Sequence, residues 1–371
     1  MSKWQKNLAP LANDVEEFVD RIKRRLEGRF SGPEPTMVVP LAAFTYPGGF
    51  YIKGRILHQS HPIISADNQS VWDDLLDFYH RMNSDEIPNA RLRLLAGSET
   101  FYLESDEEGY FELNTSFSTS QPHPKSVQLE WLTESETDPT KEPAKTAEVM
   151  VPLVHFSNAV RYGVISDVDD TLLVSNVQNP FGLIRTLVSG RASQRSAFPG
   201  VPAFYRGLQA GGNPLFFVSS SPWNLSDLLE ETFDYHGLPE HVTFLRDWAI
   251  SDQEILPTDN VDYKLGMLRL ITSLFPDLPF LLIGDSGQQD PEIYARFILE
   301  NPGRILGVYI RDVSPDDRRD AAVHQLKTSG VPLLLAVDSF SMARDAVARG
   351  WLNPEVVSEI EADQSRSGSG G

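Results

Sequence analysis

Hydrophobic and polar residues alternate in short runs between residues 37 and 155. A period of two is typical of half-buried β-strands. The runs are residues 51–57, 91–95, 110–114 and 127–131. Turn-rich segments separate them, which favours a small antiparallel β-sandwich. One stretch with helical spacing, residues 71–82, interrupts the predicted strands.

After residue 160 the pattern changes to short, wholly apolar runs that alternate with helical stretches. This alternation is typical of a parallel sheet with helices on both faces. The predicted strands are residues 162–166, 214–218, 242–245, 279–283, 305–310 and 332–337. We expect an α/β fold with a doubly wound parallel sheet, in which ligands bind beyond the carboxyl ends of the strands.

The chain begins with a separate element, because apolar residues recur at helical spacing from Leu11 to Leu26 and predict an amphipathic helix. Its basic face could lie on an anionic membrane, or the helix could dock on its own domain. Residues 31–35, SGPEP, cannot continue a helix. We therefore divide the chain into an N-terminal helix and linker (1–32), an accessory β-sandwich (33–156), an α/β domain (157–358) and a flexible tail (359–371).

Composition excludes several classes of function. The 371 residues include 32 basic and 52 acidic side chains, a formal net charge of −20, which disfavours nucleic acid as a partner. Without cysteine the chain forms no disulfide, no thiolate metal site and no cysteine nucleophile. No apolar run is long enough to cross a bilayer, so we expect a cytoplasmic protein with at most peripheral membrane association.

Three carboxylates follow the first strand of the predicted parallel sheet, in the motif DVDDT. Acids this close raise one another's pKa, so a bound cation is the natural neutraliser, and oxygen ligands favour Mg²⁺. Side chains alternate along an extended chain, so Asp167 and Asp169 share one side while Asp170 points elsewhere. An Asp-rich turn or a helix cap is the alternative explanation.

Serines collect at the end of the second strand, in FVSSSPWN. Ser221 before Pro222 has the pattern of a helix N-cap followed by a proline at the first helical position. Ser219 stands at the strand end itself, where a hydroxyl and nearby backbone N–H groups can hold phosphate oxygens. Ser219 and Ser220 are therefore candidate substrate-binding residues, with an ordinary strand-to-helix turn as the alternative.

Four further charged residues lie at the end of a predicted strand or near the start of a predicted helix. Lys264 begins the predicted helix 263–275, where the helix dipole disfavours a cation, so it either neutralises a phosphate or carboxylate or forms a surface ion pair. Asp285 ends the fourth strand. Asp290 precedes a proline and a helical run, which leaves open an N-cap or a metal-binding role. Arg311, after the fifth strand, is a candidate for substrate contact.

These motifs occur in a specific order along the chain: DxDxT, a strand-end serine, a lysine and GDxxxxD. In this order they resemble the haloacid dehalogenase superfamily. The sequences DVDDT, FVSSSPWN and LLIGDSGQQDPEIY are more narrowly similar to the catalytic domain family of actin-patch-type phosphatidate phosphatases, a lipin-like branch of that superfamily. The resemblance covers roughly residues 155 to 355.

The resemblance implies a haloacid dehalogenase-like fold for the α/β domain and a mechanism through an aspartyl-phosphate. Asp167 would be the nucleophile, and Asp169 would protonate the leaving oxygen and then activate water. A Mg²⁺ ion would be held by Asp167, the backbone carbonyl of Asp169 and Asp285. The remaining roles fall to Ser219 and Lys264, which would bind phosphoryl oxygens, and to Asp290, which would orient metal-bound water or close the helix.

The interval from Asp167 to Ser219 bears on the substrate, because it leaves room for a short cap such as residues 181–187 but not for a cap domain. An open site suits a headgroup presented by a membrane. Candidate residues for lining its mouth are Arg185, Arg191, Arg195 and Trp223. We therefore expect a phosphatase acting on phosphatidate or a related phospholipid. The alternatives are a phosphatase for a soluble phosphomonoester and a non-catalytic interaction protein.

Overall fold

The computed structural model describes most of the chain. The described residues are 36–58, 85–116, 124–133, 144–156, 160–173, 197–247, 250–251, 254–255, 260–313 and 320–367. The predicted helices at 11–26 and 71–82, the linker at 31–35, the cap at 181–187 and the three arginines at 185, 191 and 195 lie outside these residues.

Two four-stranded antiparallel sheets form the N-terminal part of the described structure. The first contains β1 (Thr36–Tyr46), β2 (Gly49–His58), β3 (Asp85–Glu86) and β6 (Tyr110–Ser116). The second runs in the order β5 (Glu99–Glu104), β4 (Arg91–Ala96), β7 (Ser126–Thr133), β8 (Ala144–Pro152). Apolar residues of both sheets share one core, for example Phe50 and Ile52 with Leu92 and Leu129. The predicted antiparallel β-sandwich is confirmed.

A six-stranded parallel sheet forms the second part, in the order β11-β10-β9-β14-β15-β16. Its strands are β9 (Gly163–Ser166), β10 (Leu215–Pro222), β11 (Val242–Arg246), β14 (Phe280–Asp285), β15 (Ile305–Arg311) and β16 (Leu333–Ala336). A two-residue hairpin pairs β12 (Ile250–Ser251) with β13 (Glu254–Ile255). The predicted doubly wound α/β fold is confirmed.

Helices cover both faces of the parallel sheet because its strands are apolar on both sides. Val164 and Phe217 belong to the core on one face, whereas their neighbours Ile165 and Phe216 belong to the core on the other. The first face packs on α1 (Val201–Gln209), α2 (Ser226–His236), α6 (Ser339–Ala348) and α7 (Glu355–Ser367). The second packs on α3 (Asn260–Leu274), α4 (Asp290–Glu300) and α5 (Asp320–Thr328). In the described part of the chain no helix combines the length and the apolar character needed to cross a bilayer.

The sandwich shares a core with the second face of the parallel sheet. Phe44 of β1 is fully buried, and its ring centre lies 5.4 Å from that of Phe216 and 6.5 Å from that of Phe275. Phe156 lies 6.0 Å from Phe44 and 5.3 Å from Phe216. Apolar contact is therefore continuous across the predicted domain boundary at residue 156.

Strand β1 has no counterpart among the runs that period two predicts, and its surroundings explain why. Val38 packs in the sandwich core, whereas Ala42 and Phe44 pack in the core shared with the parallel sheet. The ladder with β2 is irregular between Pro40 and Ala42, and β1 changes the core that it faces there, so its sequence, TMVVPLAAFTY, shows no regular alternation of apolar and polar residues.

His241, which precedes β11, forms a charged pair with Glu230 of α2. The Nε2 of His241 lies 3.1 Å from Oε2 of Glu230, and Nδ1 donates to Pro239 O at 2.7 Å. Thr243 Oγ1 donates to the other Glu230 oxygen at 2.8 Å. Burial lowers the pKa of His241, but Glu230 outweighs it and raises the pKa above 6.5. Burial raises the pKa of Glu230, but His241 outweighs it and lowers the pKa below 4.5.

This pair predicts a pH dependence of the free energy of unfolding. The contribution of His241 is complete below pH 6.5 and is lost as the pH rises through its higher folded pKa. The contribution of Glu230 is complete above pH 4.5 and is lost as the pH falls through its lower folded pKa. In urea unfolding, we expect His241→Gln to destabilise the protein more at about pH 5.5 than at about pH 8.5. Equal destabilisation at the two pH values would contradict the assignment.

Candidate active site

Two aspartates lie side by side at the carboxyl ends of β9 and β14. Ser166 of β9 pairs with Ile283 of β14, and the next residue, Asp167, donates its backbone N–H to Ile283 O at 2.9 Å. Asp285 is the last residue of β14. The connections run outward to β11 on one side of this strand pair and to β16 on the other. Such a reversal point is where open α/β sheets bind ligands.

Lys264 reaches this point from near the N-terminus of α3, where it is the fifth helical residue. Its ammonium donates to Oδ1 of Asp167 and to Oδ1 of Asp290, each at 2.7 Å. The Lys264 side chain is 3% exposed, and those of its two partners are 1% and 0% exposed. Lys264 is therefore a buried counter-ion of the aspartates, and the alternative of a surface ion pair is wrong.

The aspartates outnumber this ammonium. Asp167, Asp285 and Asp290 each offer a carboxylate oxygen, and these oxygens lie within 4.8 Å of one another. Burial would lower the pKa of Lys264, but the three carboxylates outweigh it and raise the pKa. Burial raises the pKa of Asp167 against the opposing effect of Lys264, and burial with the charge of Asp290 raises that of Asp285 to about 7. One ammonium does not balance three ionised carboxylates, so the cluster favours a further cation.

The loop after β14 shapes Asp285 as a ligand. Oδ1 of Asp285 accepts the backbone N–H groups of Gly287 at 2.6 Å and Gln288 at 2.8 Å. Its Oδ2 is buried and accepts no hydrogen bond from the described residues. An all-oxygen cluster with a free lone pair of this kind fits Mg²⁺, which prefers carboxylate oxygens and keeps several waters.

Asp290 is held between β14 and α3. Its Oδ1 accepts from Lys264, and its Oδ2 accepts from the backbone N–H of Asp285 at 3.1 Å. Gly284 makes this approach possible, because a Cβ there would lie 2.5 Å from Asp290 Oδ2. The N-cap interpretation of Asp290 is wrong: Gln289 precedes α4 as its cap residue, and Asp290 is the first helical residue. Its carboxylate bonds to the strand end and the lysine instead of closing the helix.

Asp169 faces the serines that follow β10. Ser219 Oγ donates to Oδ2 of Asp169 at 3.1 Å, and Ser221 Oγ donates to the same oxygen at 3.4 Å. Oδ1 of Asp169 is buried and accepts no hydrogen bond from the described residues. Burial raises the pKa of Asp169 to about 6. A carboxyl group with a raised pKa suits proton transfer.

The serine segment adopts a different local structure from the one predicted. β10 continues to Pro222, a 3₁₀ turn follows at residues 223–225, and α2 starts only at Ser226. The N-cap interpretation of Ser221 is therefore wrong, and its side chain contributes to the Asp169 contact instead. Ser220 is half-buried and donates to Asn260 Oδ1 at the start of α3. Trp223 does not line an open mouth as expected, since it is only 6% exposed.

Arg311 donates a hydrogen bond to the backbone of the DVDDT loop. Its Nε donates to Thr171 O at 3.2 Å, and its Nη2 donates to Ser339 Oγ at 2.9 Å. Arg311 is buried, and burial lowers its pKa. In this structure Arg311 stabilises the loop, while its contact with substrate stays a prediction. Asp170 has φ 54°, a left-handed conformation that aspartate adopts more readily than most residues.

Two residues of the site carried no signal of their own in the sequence. Gln288 Nε2 donates to the backbone O of Asp169 at 3.3 Å and to Oδ2 of Asp167 at 3.5 Å, two of the oxygens that the resemblance assigns to Mg²⁺. Tyr205 of α1 shares a hydrogen bond of 2.6 Å with Ser166 Oγ, which donates to Asp167 O at 2.7 Å. A glutamine in a loop and a tyrosine in an amphipathic helix are common, so only their placement identifies them.

Comparison with known proteins shows which family the sequence around this site resembles. Residues 162–312 match the sequence model of the family described as "Phosphatidate phosphatase APP1, catalytic domain". Over this range, which is less than half of the chain, the sequence is similar to a catalytic domain of the APP1 type. The matched range contains Asp167, Asp169, Ser219, Lys264 and Asp285, which the structure brings together.

Two curated yeast proteins are similar over a longer stretch. Phosphatidate phosphatase APP1 of Saccharomyces cerevisiae is 26% identical over 230 residues, which is 61% of this chain and 37% of that protein. An uncharacterised protein of Schizosaccharomyces pombe is 27% identical over 245 residues, or 65% of this chain and 39% of that protein. The chain thus spans less than two fifths of the length of these relatives. Among solved structures, phosphoserine phosphatase in its apo form has 11% identity and a TM-score of 0.31, covering 51% of this chain and 98% of that one, too low a likeness to support an argument.

Proposed function

We propose that this chain is a Mg²⁺-dependent phosphomonoester phosphatase that acts through an aspartyl-phosphate, with phosphatidate or a related phospholipid as substrate. The observation that carries the proposal is the buried cluster in which Lys264 bonds to Asp167 and Asp290 beside Asp285. A cluster of buried acids with one fixed cation is expensive to fold, which favours a functional origin over a structural one.

The proposed reaction has two steps, and Asp167 and Asp169 take part in both. One Asp167 carboxylate oxygen forms a bond to phosphorus as the ester P–O bond breaks, and protonated Asp169 gives its proton to the leaving oxygen. A water oxygen then attacks the same phosphorus, and Asp169 takes a proton from it. The P–O bond to Asp167 breaks, and phosphate leaves. Oδ1 of Asp169 accepts no hydrogen bond from the described residues, which supports this role because one oxygen is available for the proton.

Other residues prepare the site for the charge of the phosphoryl group. Lys264 brings a fixed ammonium to within 2.7 Å of the attacking carboxylate, where the phosphoryl oxygens must also arrive. Ser219 offers a hydroxyl beside Asp169, and the serine segment offers backbone N–H groups. Asp167, the Asp169 carbonyl, Asp285 and Asp290 are the residues that would hold Mg²⁺. When bound, the ion supplies positive charge to the phosphoryl oxygens and offsets the excess of carboxylates.

The proposal for the substrate rests on the family description and on the named yeast relative. A test compares phosphate release from phosphatidate in mixed micelles with release from a panel of soluble phosphomonoesters, each with Mg²⁺ and with EDTA. We expect Mg²⁺-dependent release from phosphatidate. Release from soluble esters alone would contradict the lipid substrate but not the phosphatase. Absence of release from every ester would contradict the phosphatase itself.

The metal site predicts a second result, measured without turnover. Mg²⁺ should raise the melting temperature of the wild type, because ligands that bind only the folded state stabilise it. Asp285→Asn should remove this shift, since it deletes a charged ligand. A matched control is Asp312→Asn, at an exposed carboxylate just beyond β15 that accepts from Ser286 Oγ at 3.2 Å. The proposed site is wrong if Asp285→Asn and Asp312→Asn retain the same Mg²⁺-induced shift.

A further inference from the structure

Arg55 connects the β-sandwich to the serine segment of the candidate active site. It lies on β2, and only 6% of it is exposed. The central carbon of its guanidinium is 4.5 Å from the ring centre of Tyr110 on β6 and 5.1 Å from the ring centre of Trp223. A guanidinium in contact with two aromatic rings is attracted by both, and the attraction is larger when water is excluded.

Trp223 directly follows the serine segment. It begins the 3₁₀ turn after Pro222, so its ring position is coupled through the backbone to Ser219, Ser220 and Ser221. Trp223 is buried, and its ring cannot move without displacing its neighbours. Arg55 therefore acts on the segment that faces Asp169, although it touches neither Asp169 nor the serines in the described contacts.

Polar contacts hold the guanidinium on the same side of the molecule. Arg55 Nε donates to Glu108 O in the turn before β6 at 2.7 Å, and Nη1 lies 4.0 Å from Oδ1 of Asp247. Asp247 follows β11, whose last residue, Arg246, pairs with Pro222. A hydrogen bond to Asp247 raises the pKa of Glu108, consistent with their two carboxyl groups lying close together. The sandwich thus contacts the residues that directly follow β10 and β11.

Apolar packing makes this junction rigid. Phe44 and Tyr51 of the sandwich pack in one core with Phe216 of β10 and Leu265 of α3. Leu265 is the neighbour of Lys264, so the same core supports the elements that carry both the serines and the lysine. A shared core of this kind does not slide freely, because its side chains interlock.

We propose that Arg55 is a positioning residue: through Trp223 it holds the serine segment against Asp169, so that the β-sandwich keeps the phosphoryl-binding site formed before substrate arrives. This proposal rests on the proposed function and deepens it, because it assigns the accessory sandwich a role in substrate binding. Pre-formed donors bind the phosphoryl group without a cost of ordering them first.

The test compares Arg55→Met with Arg93→Met. Both changes remove an arginine of the sandwich that pairs with an acid, but Arg93 pairs with Glu130 at 2.6 Å within the second sheet. With a soluble phosphomonoester and Mg²⁺, we expect Arg55→Met to raise KM about tenfold and to lower kcat by less than about threefold. Arg93→Met should leave both constants close to those of the wild type.

Hydrogen exchange supplies a readout that does not need activity. We expect peptides covering residues 215–225 to exchange faster in Arg55→Met than in the wild type, while Arg93→Met leaves them unchanged. If Arg55→Met does not fold, Arg55→Lys takes its place, since lysine keeps the charge but loses the planar stacking. That variant should show the same changes with smaller amplitude.

The outcomes separate this inference from the proposed function. Unchanged KM and unchanged exchange in the Arg55 variant overturn the inference while the wild type remains a phosphatase. Equal effects of Arg55→Met and Arg93→Met also overturn it, because the loss is then one of general stability. A wild type without phosphatase activity overturns the proposed function. In that case the hydrogen exchange at residues 215–225 is the only measurement that decides whether Arg55 positions the serine segment.

Discussion

Lys264→Met is expected to cost about 3–5 kcal/mol in the free energy of unfolding and to abolish phosphatase activity. The ammonium is buried and donates to two carboxylates, Asp167 and Asp290, at 2.7 Å. Removing it leaves buried acids without their counter-ion, and burial of an unpaired charge is among the most destabilising changes known in proteins. Methionine keeps the length of the side chain, so loss of charge rather than loss of volume determines the result.

Chemical unfolding in EDTA measures this effect, and two further variants interpret it. Lys264→Met/Asp290→Asn removes one of the uncompensated carboxylates and should recover part of the lost stability. Lys53→Met is the control, because Lys53 forms a partly exposed ion pair with Glu112 at 3.9 Å, and its loss should cost less than about 1 kcal/mol. A cost for Lys264→Met no larger than that of the control would show that Lys264 does not neutralise the cluster.

Asp167→Asn is expected to lower kcat by a factor on the order of 10⁴ or more, because an amide is a poor nucleophile and cannot form the aspartyl-phosphate. The stability should be equal to or higher than that of the wild type. The substitution is nearly isosteric and removes one charge from a cluster that already has more carboxylates than cations. This combination of lost activity and retained stability separates a nucleophile from a structural aspartate.

Asp170→Asn is the matched control, three positions along the same motif. Asp170 has φ 54°, and asparagine adopts that left-handed conformation readily, so the backbone of the loop should persist. We expect activity within about threefold of the wild type. Substantial residual activity in Asp167→Asn, after excluding deamidation by mass spectrometry, would exclude Asp167 as the nucleophile.

Local sequence patterns were sufficient to predict the strands of the parallel sheet and the residues at their carboxyl ends. Apolar runs bounded by polar residues predicted all six strands of the parallel sheet, and the carboxyl ends of parallel strands meet at one edge. The convergence of Asp167 and Asp285 follows from that rule. A role for Lys264 beside an anion was one of the two interpretations that the sequence left open, because the helix dipole disfavours a lysine near the start of α3.

Local patterns failed where long-range contacts decide what a side chain does. Ser221 and Asp290 both precede or begin turns into helices and have the residue types of N-caps, yet both side chains bond to groups distant in sequence. Strand β1 was missed because it changes the core that it faces at the irregularity between Pro40 and Ala42. For the two N-cap candidates, tertiary contacts outweighed a local preference worth about 1 kcal/mol.

By itself, the sequence determined the two-part architecture and the chemical character of the site, because hydrophobic period and strand-end acids act over a few residues. The tertiary structure alone decided that Lys264 is a buried counter-ion shared by two aspartates, that Ser219 faces Asp169, and that Arg55 of the sandwich reaches Trp223. These contacts join residues that are far apart along the chain. They form only when the helices and strands pack together, so a periodicity within one element cannot predict them.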